Sequence, residues 1–127
     1  MSRELKFRVW DPNTETMYTN VGIGKISFYD FDGDRITEQE GLIIMQWTGL
    51  KDRNGMEIYE SDLFRTADAE NVYIDIVVWS EKDGSWAFEN AHGHCTVLAY
   101  DINLSHGEVI GNIYEHPHLL PKEEEPT

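Results

Sequence analysis

One cysteine, Cys95, stands in a chain of 127 residues, so no internal disulfide can staple the fold, and the chain fits a reducing compartment. No apolar run approaches the ~20 residues that a membrane-spanning helix needs. The first residues, Met1-Ser2-Arg3-Glu4-Leu5-Lys6, enter alternating sequence without the apolar stretch of a signal peptide. The expectation is a water-soluble, cytoplasmic protein that makes no use of a membrane. Positive charge is also scarce: ten Lys and Arg face 24 Asp and Glu, for a net charge of −14. The shortage is uneven. Residues 1–65 carry eight basic residues against twelve acidic ones, whereas residues 66–127 carry only Lys82 and Lys122 against twelve. Binding a phosphate backbone needs clustered Lys or Arg that displace condensed counterions, and the C-terminal half cannot supply such a cluster. A basic protein partner, or plain solubility, suits that surface better.

Helical patterning is nearly missing too, and what replaces it is alternation. The chain has the size of one domain or of two small lobes, and its four Trp, six Tyr and five Phe supply the apolar area of a core. Leu5, Phe7 and Val9 alternate with Lys6 and Arg8 as in a half-buried strand, and Asp11-Pro12-Asn13-Thr14 then turns the chain into a returning strand at Met17-Tyr18. Residues 23–31 alternate again and stop at Asp32-Gly33, while residues 42–47 read as a buried strand. Asn54-Gly55 is the strongest short hairpin signal. Beyond it the pattern predicts five short strands: 62–66, 72–79, one carrying Trp86 and Phe88 on one face and broken by Ala91-His92-Gly93, 97–100 and 109–114, with 97–100 open to being a single 3₁₀ turn. Five strands separated by turn signals predict a small antiparallel barrel, whose closure hides strand edges. In the strand at 72–79, Val72, Ile74, Ile76 and Val78 are expected to face the core, with Tyr73, Asp75, Val77 and Trp79 on the other side. Helix is expected at most in residues 37–41 and in Pro117-His118-Leu119-Leu120.

Three ordered motifs carry a family likeness: Lys6-Phe7-Arg8-Val9-Trp10-Asp11, the block from Gln46-Trp47-Thr48-Gly49-Leu50-Lys51 to Glu60-Ser61-Asp62, and Val109-Ile110-Gly111-Asn112-Ile113-Tyr114-Glu115-His116-Pro117. Together they resemble the YopX-like proteins of phages and prophages over residues 4–120. The resemblance implies a mainly β protein with an SH3-type barrel, carried by a mobile element and acting in the cytoplasm of a bacterial host cell. It implies no particular activity. The expected layout is an N-terminal β lobe at 1–58, an SH3-like β-barrel at 59–120 and a disordered acidic tail at 121–127, with very little helix. Two departures stand out. The usual Glu-Gly-Asp is Glu60-Ser61-Asp62, and because Ser tolerates positive φ less readily than Gly, an altered local turn is expected. The usual Asn before the last proline is His116, a poorer N-cap.

Candidate chemistry is thin. Asp30-Phe31-Asp32-Gly33-Asp34 spaces its carboxylates like the opening of an EF-hand loop, but position six is Arg35 instead of Gly and position twelve is Gly41 instead of Glu, with Glu40 one residue early. A solvated acidic hairpin is the expectation. His92-Gly93-His94-Cys95, with His106, His116 and His118, contains zinc-type ligands without the paired spacing of a structural site. Cys95 and Asp101 lie in a segment poor in positive charge, which does not activate a thiol. Pairs such as Glu57 and Glu60, or Glu60 and Asp62, are expected by chance among so many acids, and Asp62 reads better as an acceptor for backbone N–H groups in a turn. No metal, cofactor or catalytic residue is therefore assigned, and the expectation is a protein that is not an enzyme.

The aromatics Trp47, Tyr59, Trp79, Trp86 and Tyr114 fit strand positions in a core, and some could line a recognition groove as in SH3-type peptide binders. Trp79, Tyr59 and Trp47 are the expected binding residues, Trp79 foremost. The leading expectation is an acidic interaction module that binds a host or phage protein, with homo-oligomerisation as a further possibility. The alternative is a nucleic-acid or replication-associated binder using Arg3, Lys6, Arg8, Lys25 and Arg35. A metal-dependent enzyme ranks third.

Overall fold

Alternation of side chains does dictate the architecture. The computed structural model describes residues 5–23, 28–29, 35–36, 42–90, 96–98 and 106–120, and it divides the chain into two compact units, Met1–Gly49 and Leu50–Thr127. Both are antiparallel β structures. Among the described residues helix is confined to a 3₁₀ turn at Pro117–Leu119 and the 3₁₀ residue His106.

In the first unit, β1 (Phe7–Asp11), β2 (Thr16–Ile23), β3 (Phe28–Tyr29), β4 (Arg35–Ile36) and β5 (Ile43–Lys51) follow one another across a sheet in the order β4-β3-β2-β1-β5. The expected first hairpin forms: Trp10 lies opposite Met17, and the Asp11 carboxylate accepts the Asn13 N–H at 2.9 Å, which turns the chain after Pro12. On its other edge β1 pairs β5, with Val9 opposite Ile44. Val9 and Val21 are buried, with Phe7, Tyr18 and Leu42 half-covered around them. β3 and β4 pair through Phe28–Ile36 and Tyr29–Arg35, the strand setting expected around the acidic Asp30–Asp34 stretch, although residues 30–34 themselves lie outside the described residues.

In the second unit the end of β5 turns through Arg53-Asn54-Gly55 into β6 (Glu57–Tyr59), with Gly55 at φ 80°, as the Asn-Gly signal requires. Then come β7 (Asp62–Ala67), β8 (Val72–Ser80), β9 (Ser85–Asn90), β10 (Thr96–Leu98) and β11 (Gly107–Asn112), ordered β10-β9-β8-β7-β11 in a sheet that curls as a half-barrel. The mainly β reading holds, in two antiparallel sheets of which this one is a half-barrel. Among the described residues no ladder joins β10 to β11, so the curl is not sealed into a cylinder by backbone pairing there. The core of this unit is Ile58, Phe64, Val77 and Phe88, flanked by Leu50, Trp86 and Val109. The Phe64 and Phe88 rings meet at 4.8 Å. Each buried side chain of this size removes enough apolar area from water to contribute about 1.5–3 kcal/mol. Gly107 is required by this packing, because a Cβ there would overlap the Phe64 ring.

Two local expectations are corrected. The core-facing side of β8 is the side of Val77, which is 1% exposed, whereas Val72, expected in the core, is 57% exposed. Four branched apolar residues on the even-numbered face of β8 against one, Val77, on the other make alternation point to the wrong side; packing against Phe64 and Phe88 on the neighbouring strands selects the side of Val77. The last strand stops at Asn112 and does not run on to Tyr114, because the Asn112 side-chain oxygen accepts the N–H groups of Tyr114 (3.0 Å) and Glu115 (2.8 Å) and bends the chain there. The segments 37–41, 91–95, 99–105 and 121–127, including the acidic tail, lie outside the described residues.

Candidate functional site

Two places in the second unit collect polar or aromatic side chains, and they differ in kind. The first joins the two most distinctive motifs. Asp52 is buried just before the Asn54-Gly55 turn, and its carboxylate accepts the N–H groups of Asn54 (2.8 Å), Met56 (2.9 Å) and, across 57 positions of sequence, Val109 (2.9 Å). Burial alone would raise the Asp52 pKa, but the three N–H donors and the neighbouring Arg53 outweigh it and hold the group below the usual aspartate value. Beside it Arg53 donates its own N–H to the Gly107 carbonyl, and its guanidinium pairs with Glu108 at 3.1 Å, while Arg65 approaches the other Glu108 oxygen at 3.5 Å. These bonds occupy the outer edge of β11, which would otherwise present unpaired backbone groups. A spacing signal for the short-range half existed: Asp two residues before Asn-Gly is an Asx turn. Nothing local pointed to Val109 or Glu108.

A few residues on, the Asp62 carboxylate is buried and accepts the Tyr59 N–H at 2.7 Å, the turn role expected for it in place of acid–base chemistry. Between them sits Ser61 at φ 72°. Ser61 takes the left-handed backbone that Gly adopts more readily, held there by its N–H donating to the Val77 carbonyl (2.8 Å) and its carbonyl accepting from Ile113 (3.1 Å). Tertiary hydrogen bonds override the preference of the side chain, and the residue retains strain. His116 behaves as expected of a poor cap. It makes no side-chain cap to the 3₁₀ turn, and its Nδ1 instead accepts the Asn112 N–H at 3.2 Å while its ring stands 6.1 Å from that of His118.

The second place is the far end of the β8–β9 hairpin. Trp79 and Trp86 face each other across the ladder, and their rings meet edge to face at 5.1 Å. Trp86 rests on the core cluster, whereas Trp79 is 46% exposed. Trp79 shares the parity of Val77; it emerges because it lies at the strand's end, beyond the Phe64–Phe88 layer, and not because its face points away from the core. The Trp86 indole N–H is buried without an acceptor, which makes it an unsatisfied donor of the kind worth explaining. The turn that follows, Glu81-Lys82-Asp83-Gly84, is exposed, and the Asp83 carboxylate accepts the Ser80 hydroxyl at 2.9 Å.

The other expected binding residues lie elsewhere. Tyr59 is half-buried in β6, its N–H taken by Asp62. Trp47 belongs to the first unit, half-buried in β5, with the Lys6 ammonium 4.7 Å from the centre of its ring. Tyr114 sits half-buried in the bend after β11. The His92–Cys95 stretch and Asp101 lie outside the described residues, and His106 is exposed immediately before β11. Among the described residues no three His, Cys, Asp or Glu side chains come together as a metal would require. Among them, too, no helix is long and apolar enough to cross a membrane.

Comparison with known proteins agrees with this geometry. The family model described as YopX protein matches residues 6–121. Among solved structures, protein EF1440 from Enterococcus faecalis is 26% identical, with a TM-score of 0.62 over 94% of this chain and 100% of that one. Protein yopX from Bacillus subtilis is 20% identical, with a TM-score of 0.63 over 91% of this chain and 98% of that one, a likeness of fold. No curated protein matches the chain.

Proposed function

The chain belongs to the YopX protein family, and we propose that this member is a small acidic, non-enzymatic interaction module that binds a protein through the Trp79–Trp86 end of its β8–β9 hairpin. In this reading it is encoded by a phage or prophage and works in the bacterial cytoplasm on a host or phage protein. The observation that carries the proposal is Trp79, 46% exposed and braced edge-on by Trp86, because a rigid, half-open aromatic is the typical energetic anchor of a protein contact. The residues that look most chemical in sequence support it indirectly: Asp52 and Asp62 are occupied by backbone N–H groups, which favours a scaffold role for them over acid–base catalysis.

Nucleic-acid binding draws less support. Of its five candidate residues, Arg8 is buried and Lys6 lies over Trp47, while Arg3 and Lys25 fall outside the described residues and the Arg35 side chain is not described. The test is affinity purification from lysogenic or infected cell lysate with the wild-type protein and with Trp79→Ala in parallel. A protein retained by the wild type and lost from the variant is expected. If both recover the same proteins in the same amounts, the contact is elsewhere and this reading fails.

A further inference from the structure

We propose that the segment seated on the Trp79 face is cationic, a stretch of a partner protein rich in arginine or lysine. This deepens the interaction-module reading and rests on it. The first argument is geometric. A flat indole has two faces, and the single edge-to-face contact with Trp86 can cover only one, so exposed Trp79 keeps a π face open to solvent. Tryptophan is the strongest aromatic partner for a guanidinium or ammonium group. Arginine suits the site especially, because its planar, weakly hydrated head stacks on a ring at little desolvation cost.

Charge supplies the second argument. The strand leads straight from Trp79 into Glu81 and Asp83, both exposed, with Lys82 the one opposing charge on that turn. The exposed carboxylates beside Trp79 thus outnumber the single Lys82, which favours a cationic neighbour over a phosphate backbone or anionic lipid.

The test uses the full chain, with the indole N–H signals of its four tryptophans followed by NMR while a nine-arginine peptide is added. The signals of Trp79 and Trp86 are expected to move, and those of Trp10 and Trp47 to stay. Trp79→Ala is expected to weaken binding by about five- to thirtyfold, the loss of one partly desolvated cation–π contact. Trp79→Phe, which keeps a ring and guards against a misfolded alanine variant, should fall between. Glu81→Lys should weaken binding at low salt and matter less as salt rises. A nine-glutamate peptide should leave all four signals in place. The proposal is overturned if the arginine peptide does not bind, if it binds Trp79→Ala as tightly as wild type, or if it moves Trp10 and Trp47 instead. A natural partner captured through Trp79 whose contact segment is acidic overturns the cationic assignment while leaving the module reading intact. Capture that ignores Trp79 removes both.

Discussion

The Asp52 region and the Trp79 end occupy the same small unit, yet they treat their distinctive side chains in opposite ways. Around Asp52 every notable group is engaged inside the fold: three backbone N–H groups on one carboxylate, two guanidinium groups on Glu108, and a serine held at φ 72° by two main-chain bonds. At the hairpin end, a large aromatic stands half in solvent and an indole N–H lacks an acceptor. The difference teaches where to look for function in such a protein. The residues around Asp52 tie the β structure together, and the residues free to act are those the fold leaves uncommitted.

The largest effect expected from breaking the first region is at Asp52. Asp52→Ala leaves three N–H groups without their acceptor and should cost about 3 kcal/mol or more in urea unfolding, while Asp52→Asn, which keeps one acceptor oxygen, should cost less. Next comes Gly107→Ala, which forces a methyl group into the Phe64 ring and should cost about 1–3 kcal/mol by the same measurement. Ser61→Gly sharpens the comparison in the other direction. It relieves the left-handed backbone strain and should stabilise the protein by about 1 kcal/mol, because the two main-chain bonds that hold the turn survive.

The smallest effects concern pH, and two carboxylates predict opposite slopes. Asp52, with its folded-state pKa lowered, contributes stability that is present above the ordinary carboxylate range and lost as pH falls through its lowered pKa. Asp75, on the core side of β8 opposite Phe64, has its pKa raised by burial. Its folded form prefers the proton, so its penalty is absent in acid and grows as pH rises from the ordinary aspartate pKa through the raised one. Asp75→Asn should therefore stabilise the protein at neutral pH, by up to about 1 kcal/mol, and leave stability near pH 3 almost unchanged. Unfolding curves at several pH values check both signs.

Much of the fold was legible because its signals are local. The Asn13 turn, the Asn54-Gly55 hairpin and the Glu81–Gly84 turn each rest on side chains within four positions of the bend. The exposed Trp79 was also legible, though for the wrong reason. It was expected to lie on an outward face, whereas it shares the face of buried Val77 and emerges at the strand's end. Alternation favours the face of Val72, Ile74, Ile76 and Val78, whereas Phe64 and Phe88, on the strands paired to β8, draw the face of Val77 into the core. Distance in sequence hid the bond from Val109 to Asp52, and the left-handed turn at Ser61, which depends on Val77 and Ile113.

Equilibrium urea unfolding of Asp52→Ala and Trp79→Ala, measured side by side, tests the division between these regions most directly. The expected result is a loss of about 3 kcal/mol or more for Asp52→Ala and about 1 kcal/mol for Trp79→Ala, the worth of one edge-to-face ring contact. If Trp79→Ala destabilises the protein as much as Asp52→Ala does, Trp79 belongs to the framework, and the hairpin end is not an uncommitted surface.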